Sequence, residues 1–166
     1  MSDTATRPAR VAVIGTGVIG QDLVGKIHRS PLLECALVAG RDPDSAGLRH
    51  AAGLGYPTTA GGIAAVLADP DPFDAVFDAT NAMAHLDHWR LLQPTGTLLV
   101  DLTPSRVGQM VVPTVTGTRA PDVRNVSLIS CGGQASIPIA HALAARFPGG
   151  YRRACLLYAP DPTDHL

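Results

Sequence analysis

The segment Ser130-Cys131-Gly132-Gly133-Gln134-Ala135 joins an apolar run at 126–129 to a helical pattern at 136–146. With the run as a parallel strand, Cys131 falls where strand gives way to helix, among backbone N–H groups that have no intrahelical acceptor. Such amides favour the thiolate, which is the nucleophilic form of the side chain. Gly132 and Gly133 let backbone approach a reacting carbonyl closely, and their amides are candidates to stabilise an oxyanion. The chemistry expected of this segment is therefore thiol attack on a carbonyl carbon. The alternative is a small apolar cysteine packed under a glycine turn.

A second chemical signal lies near the N-terminus. The apolar run at 11–14 enters Gly15-Thr16-Gly17-Val18-Ile19-Gly20, after which Ile19, Leu23, Val24 and Ile27 recur at helical spacing. Strand, GxGxxG turn and helix in that order suit a dinucleotide. The first glycine permits the tight turn, the second admits the pyrophosphate to the backbone, and the third lets helix and strand pack closely. A purely structural glycine turn is the competing explanation.

A strand expected at 35–39 ends in Gly40-Arg41-Asp42, and Asp42 lies 22 residues beyond Gly20. An acid there reaches the adenosine ribose. Arg41 either stacks on adenine or meets a 2′-phosphate, so the spacing favours NAD and leaves NADP open. The plainer alternative for both residues is an exposed turn with a capping aspartate. Farther on, a strand at 75–77 runs into Asp78-Ala79-Thr80-Asn81, which places Thr80 and Asn81 along the nicotinamide side of a cofactor. Asn81 serves equally well as the cap of the next helix. That helix, at 82–92, carries His85 and His88 three residues apart. No further ligands accompany them, so packed or solvent-facing histidines are expected and no metal. Asp101 and Thr103, at the end of a strand at 98–100, are expected to fix a turn.

The elements that must position these groups alternate. Helices are also expected at 44–54 and 61–68, a short strand at 56–59, an edge or irregular strand interrupted by Pro113 at 109–115, and a last strand at 153–158. Alternating strands and helices imply an α/β fold, a Rossmann-like, doubly wound, mainly parallel sheet. It forms a single domain at 10–158 between a flexible N-terminus at 1–9 and a tail at 159–166.

The composition narrows the function classes. The chain has 166 residues, 46% of them hydrophobic and 16% charged, with a formal net charge of -1. Those values describe a folded globular chain. Its cations are scattered and its aromatics are only 4% of residues, so neither a basic stripe nor a base-stacking platform for nucleic acid is expected. Cys35, Cys131 and Cys155 are odd in number and widely spaced, which argues against a disulfide framework and for a reducing, cytoplasmic setting. No run reaches membrane-spanning length, and no membrane partner is expected.

Together, Val13-Ile-Gly-Thr-Gly-Val-Ile-Gly20, Phe77-Asp-Ala-Thr80 with Ala84-His85, Val100-Asp-Leu-Thr-Pro104 and Cys131-Gly-Gly-Gln-Ala-Ser-Ile-Pro138 resemble the acylating acetaldehyde dehydrogenases that partner an aldolase. The likeness runs over about residues 10–146, and the cysteine segment is its most specific part. The resemblance implies that Cys131 attacks an aldehyde, that hydride passes to NAD, and that the resulting thioester is handed to coenzyme A. It also implies cofactor contacts at Thr16, Gly17, Val18 and Ile19. Members of that family are about twice as long, and their second domain brings the dimer interface and further catalytic and nicotinamide contacts. The expectation is thus a truncated oxidoreductase that acts on a small aldehyde or acyl substrate, with an aldolase or a separate second-domain protein as possible partner. The apolar face such a domain would cover points to homo-oligomerisation. The alternatives are a non-catalytic module binding a dinucleotide or a partner, and a half-fold recruited to other biosynthetic chemistry.

Overall fold

The computed structural model describes residues 7–117, 123–128, 130–147 and 155. Along the chain run β1 (Ala9–Ile14), α1 (Val18–His28), β2 (Leu33–Ala39), α2 (Ala46–Gly53), β3 (Thr58–Thr59), α3 (Gly62–Leu67), β4 (Ala75–Asp78) and α4 (Ala82–Leu92). There follow β5 (Leu98–Asp101), β6 (Gln109–Met110), α5 (Pro113–Thr116), β7 (Asn125–Ser127) and α6 (Cys131–Arg146). The strands form one seven-stranded sheet in the order β3-β2-β1-β4-β5-β7-β6. Every pairing is parallel. The fold is therefore the Rossmann-like α/β sheet expected from the alternation. Its order reverses between β1 and β4, the place where such sheets open a crevice at their carboxyl ends.

Period-two alternation in β1 explains the two layers of helices. Val11 and Val13 pack with Val24 and Ile27 of α1 and with Leu48 and Ala51 of α2. Ala12 and Ile14 face the other way, into a core with Val66 of α3, Leu92 of α4, Val76 and Leu99. Each face of the sheet thus has its own helical cover.

Three segments differ from expectation. The irregular strand at 109–115 resolves into the two-residue edge strand β6 and the short helix α5. Pro113 sits in the first turn of α5, where its missing N–H costs nothing and its fixed φ is already helical. The helix expected from 136 begins five residues earlier, at Cys131, because Ser130 caps it: its Oγ accepts the Gly133 N–H at 3.0 Å. At the N-terminus, Arg7 forms a two-pronged ion pair with Asp74 at 2.9 and 3.0 Å, and β1 already begins at Ala9. Residues 1–6 and 159–166 lie outside the described residues, as does the strand expected at 153–158 apart from Cys155.

Leu99, in β5, is completely buried within the second of the two cores. Leu99→Ala is expected to cost about 2–5 kcal/mol, the usual range for a leucine truncated inside a core. Urea unfolding of the two proteins measures the difference.

Candidate functional site

At the carboxyl ends of β1, β2 and β4 the structure opens a cleft of about 590 Å³. Its walls include Gly15, Thr16 and Gly17, then Gly40, Arg41 and Asp42, then Thr80 and Asn81, with His88 and Leu91 contributed by α4. Seven of the ten residues proposed for the cofactor therefore meet around one cavity. Val18, Ile19 and Gly20 are not in its wall: the Val18 and Ile19 side chains project outward, 84% and 55% exposed, and Gly20 is buried beneath the turn.

The three glycines play different steric parts. Gly15 has φ +104°, and a Cβ there would lie 2.6 Å from the carbonyl of Ala79. A Cβ on Gly20 would lie 2.0 Å from the Gly15 oxygen, so helix α1 is pressed against its own entry turn. Gly17 differs, with nothing within 4 Å of a Cβ placed on it. Its open side faces the cleft and leaves room for a ligand to touch the backbone. Gly17 is also the N-cap of α1 and supplies no capping side chain. The first helical bond of α1 is Gln21 N–H to Gly17 O, so the amides of Val18, Ile19 and Gly20 have no intrahelical acceptor. An open glycine, uncapped amides and the positive end of a helix dipole together fit a pyrophosphate.

On the opposite wall, β4 ends in Asp78, which is fully buried. Asp78 Oδ1 accepts both the Thr80 N–H at 3.1 Å and the Thr80 hydroxyl at 2.5 Å, which fixes Thr80 at the rim of the cleft. Its Oδ2 lies 2.9 Å from His85 Nδ1 and 2.8 Å from His88 Nδ1. Burial alone would raise the Asp78 pKa; hydrogen bonds from His85, His88 and Thr80, helped by the charge of His88, prevail and hold it well below the usual carboxylate range. Asn81 lines the cleft but spends its side-chain oxygen as the cap of α4, accepting from Met83 and Ala84 at 3.1 and 3.0 Å. The capping role expected of Asn81 is thus filled by a residue that also lines the cleft.

Sequence reasoning missed how far this polar network extends. Asp101 is the register partner of Asp78 and is likewise fully buried. It accepts the Thr103 N–H at 2.7 Å and the hydroxyls of Ser105 and Ser127 at 2.5 and 2.9 Å. His85 bridges the two acids, with Nδ1 3.5 Å from Asp101 Oδ1 as well, and its Nε2 meets Asn125 Nδ2 at 3.3 Å. The one available signal was an Asp closing each of two neighbouring strand patterns, with histidines on the helix between. Asp42 is also partly committed: its Oδ1 accepts the Asp44 N–H at 2.9 Å and builds the turn into α2. Among the described residues no group of three or more His, Cys, Asp or Glu could hold a metal ion.

Cys131 is exposed at the first position of α6, on the same edge of the parallel sheet as the cleft. The structure does not bring it into the wall of the cleft. The proposed oxyanion donors are corrected in part. The Gly133 N–H is taken by the Ser130 cap, and the helix makes its first backbone bond from Gln134 to Ser130, so the amides of Cys131 and Gly132 remain free among the described residues. Cys35, by contrast, lies in the core of β2, where burial pushes its thiol up to about 11. No helix among the described residues is long and apolar enough to cross a membrane.

Asp78→Asn is expected to destabilise the chain by about 3–5 kcal/mol near neutral pH, as removal of one partner from a buried charged network generally does. The sign of the pH dependence follows from a carboxyl held below its unfolded value. Its contribution is complete above the ordinary carboxylate pKa of about 3.9 and is lost as pH falls below it. The gap between wild type and variant in urea unfolding should therefore stay constant from pH 7 to about pH 5 and narrow below about pH 4. A gap independent of pH would contradict the network's role.

No family model matches the chain. Among curated proteins, the acetaldehyde dehydrogenase of Streptomyces griseus is 67% identical over 153 residues, 92% of this chain and 49% of that protein. The acetaldehyde dehydrogenase of Geobacillus stearothermophilus is 47% identical over 142 residues, 86% of this chain and 48% of its own length. Among solved structures, aspartate semialdehyde dehydrogenase with NADP from Candida albicans superposes with a TM-score of 0.63 at 15% identity, over 84% of this chain and 48% of that one. A myo-inositol dehydrogenase from Corynebacterium glutamicum gives a TM-score of 0.50 at 26% identity, covering 57% of this chain and 27% of that one. The chain spans about half the length of the curated relatives it matches. By sequence the chain is a homologue of the acetaldehyde dehydrogenases, and it corresponds to about half of such a protein.

Proposed function

We propose that this chain is the dinucleotide-binding and nucleophile-bearing half of an acylating aldehyde dehydrogenase. The observation that carries the proposal is the joint placement, on one sheet edge, of an uncapped glycine turn and an exposed Cys131 opening a helix. Gly15, Thr16, Gly17, Thr80 and Asn81 would hold a nicotinamide dinucleotide, which when bound supplies the acceptor for a hydride. The Cys131 thiolate adds to the carbonyl carbon of a short aldehyde, and the free amides of Cys131 and Gly132 are placed to stabilise the alkoxide that forms. Loss of hydride from that carbon leaves a thioester on Cys131. The thiol of coenzyme A then displaces Cys131 and carries off the acyl group.

Closure of the site is assigned to a partner. Ile139 and Leu143 of α6 and Phe147 at its C-cap, spaced four apart, are 63%, 46% and 63% exposed, and no residue of that helix is buried. A stripe of this kind marks a surface that another domain or chain covers. The proposed occupants are a second domain or a second copy of this chain, and an aldolase is proposed to supply the aldehyde. The same exposed stripe favours a second reading, a module that binds a dinucleotide and a partner without turnover.

The enzyme reading predicts NADH or NADPH release when the chain, a candidate partner, coenzyme A and acetaldehyde are combined, and complete loss of that signal in Cys131→Ala. Iodoacetamide labelling followed by mass spectrometry should find Cys131 modified far faster than Cys35, by about a hundredfold or more given the burial and raised pKa of Cys35. Gly17→Ala is expected to leave stability within about 0.5 kcal/mol, because its Cβ meets only open space, while weakening dinucleotide binding at least about tenfold. Calorimetric titration with the dinucleotide measures both the binding and its loss. Dinucleotide binding without turnover in any combination would favour the second reading.

A further inference from the structure

The ribose end of the cleft does not have the form that an unphosphorylated adenosine ribose would select. An acid that bridges the ribose hydroxyls stands at or just beyond the end of the second strand. Here β2 ends at Ala39 and the next residue is Gly40. A Cβ on Gly40 would crowd the Thr16 side chain at 3.1 and 3.2 Å and Leu48 at 3.3 Å, so the tight packing of α2 against the glycine turn leaves that place to glycine. The acid instead falls at Asp42. Its Oδ1 accepts the Asp44 N–H and its backbone oxygen accepts the Ser45 N–H at 3.1 Å, so Asp42 is the residue that turns the chain into α2.

Between them stands Arg41. It is exposed, lines the cleft, and makes no hydrogen bond or ion pair among the described residues. The start of Arg41's side chain runs past Gly62, whose added Cβ would lie 3.9 Å from the Arg41 Cγ, and Gly62 N–H is bonded to Gly40 O at 2.9 Å. The stem is thereby laid along the far wall of the cavity. Among the described residues, Arg41 is the only arginine or lysine in that wall. The other acid there, Asp87, is paired with Arg90 at 3.1 Å. A guanidinium with five donors and no partner at this position is matched to a phosphate dianion, which it can grip with two parallel hydrogen bonds.

We propose that Arg41 reads a 2′-phosphate on the adenosine ribose, so that the chain binds the 2′-phosphorylated dinucleotide at least as tightly as the unphosphorylated one. The proposal rests on the dinucleotide-binding reading of the cleft and specifies which form of the cofactor it takes. Asp42 opposes the phosphate through its charge while shaping the loop that presents Arg41.

The test is fluorescence titration of the full chain with NADPH and with NADH, repeated with the variants Arg41→Ala and Asp42→Asn. Arg41 is exposed and Asn at position 42 retains the oxygen that accepts the Asp44 N–H, so both variants keep the fold, as circular dichroism will verify. The expected results are an NADPH dissociation constant equal to or below that of NADH, and an Arg41→Ala loss about tenfold greater for NADPH than for NADH. Asp42→Asn is expected to tighten NADPH more than NADH. Adenosine 2′,5′-bisphosphate should compete better than adenosine 5′-diphosphate in wild type and lose that advantage in Arg41→Ala. NADH binding at least tenfold tighter than NADPH, or equal losses for both cofactors in Arg41→Ala, would overturn the proposal while leaving the dinucleotide site intact. Binding of neither cofactor would overturn both.

Discussion

Two carboxylates, Asp78 and Asp101, stand side by side at the ends of the adjacent central strands β4 and β5, both sealed from solvent. Like charges in neighbouring register positions repel, and the interior weakens that repulsion little. What makes the pair tolerable is a full complement of donors: His85 between them, His88 and Thr80 on Asp78, and Ser105, Ser127 and the Thr103 amide on Asp101. These donors come from α4 and the residue pair before it, from the turn after β5, and from β7. The acids therefore act as the point to which the loops of that edge are tied.

From this point the geometry of the cleft follows. Ala79 N–H continues the sheet ladder to Ile14 O, and Gly15 lies against the Ala79 carbonyl without room for a side chain. Thr80 is thus held from one side by Asp78 and from the other by the glycine turn. The ladder continues outward as Leu102 N–H bonds Asp78 O and Leu128 N–H bonds Asp101 O, which leads the chain toward Ser130 and Cys131. The edge that carries the glycine turn and the edge that presents the thiol are one continuous hydrogen-bonded structure. Asn125 Oδ1 and Thr103 Oγ1, both buried, are the atoms of this network without a hydrogen-bond partner among the described residues.

Helix α6 behaves differently from the rest. Helices gain most of their stability by covering an apolar face, yet α6 buries no residue and contains Pro138 in its interior, where one backbone bond is lost. Its tie to the sheet includes the Gln134 amide donating to Val111 O at 2.7 Å. In the proposed function this is the element that a second domain or second copy would cover, and the exposed sulfur at its start would be enclosed at the same time. At the opposite end of the cleft, Arg41 and Asp42 lie between β2 and α2, where Asp42 Oδ1 accepts the Asp44 N–H.

Much of this was legible in the residues alone. Alternating apolar runs and helical stripes fix the order of elements, because period and burial are local properties of the chain. GTGVIG announces its turn because steric exclusion at Gly15 and Gly20 admits little else, and the segment around Cys131 announces a helix start through Ser130. Whether His85 and His88 pack inward or face solvent was not legible. That depends on what lies across the sheet: a carboxylate on β4, a second on β5 and an asparagine on β7 that are brought together only when the strands pair. Spacing along the chain puts Asp42 at the end of the cleft where a ribose is expected, and only the fold shows that one of its carboxylate oxygens also builds the turn into α2 beside an Arg41 that has no partner among the described residues. Local sterics are written in sequence, whereas the partner of a charged group is chosen by the fold that surrounds it.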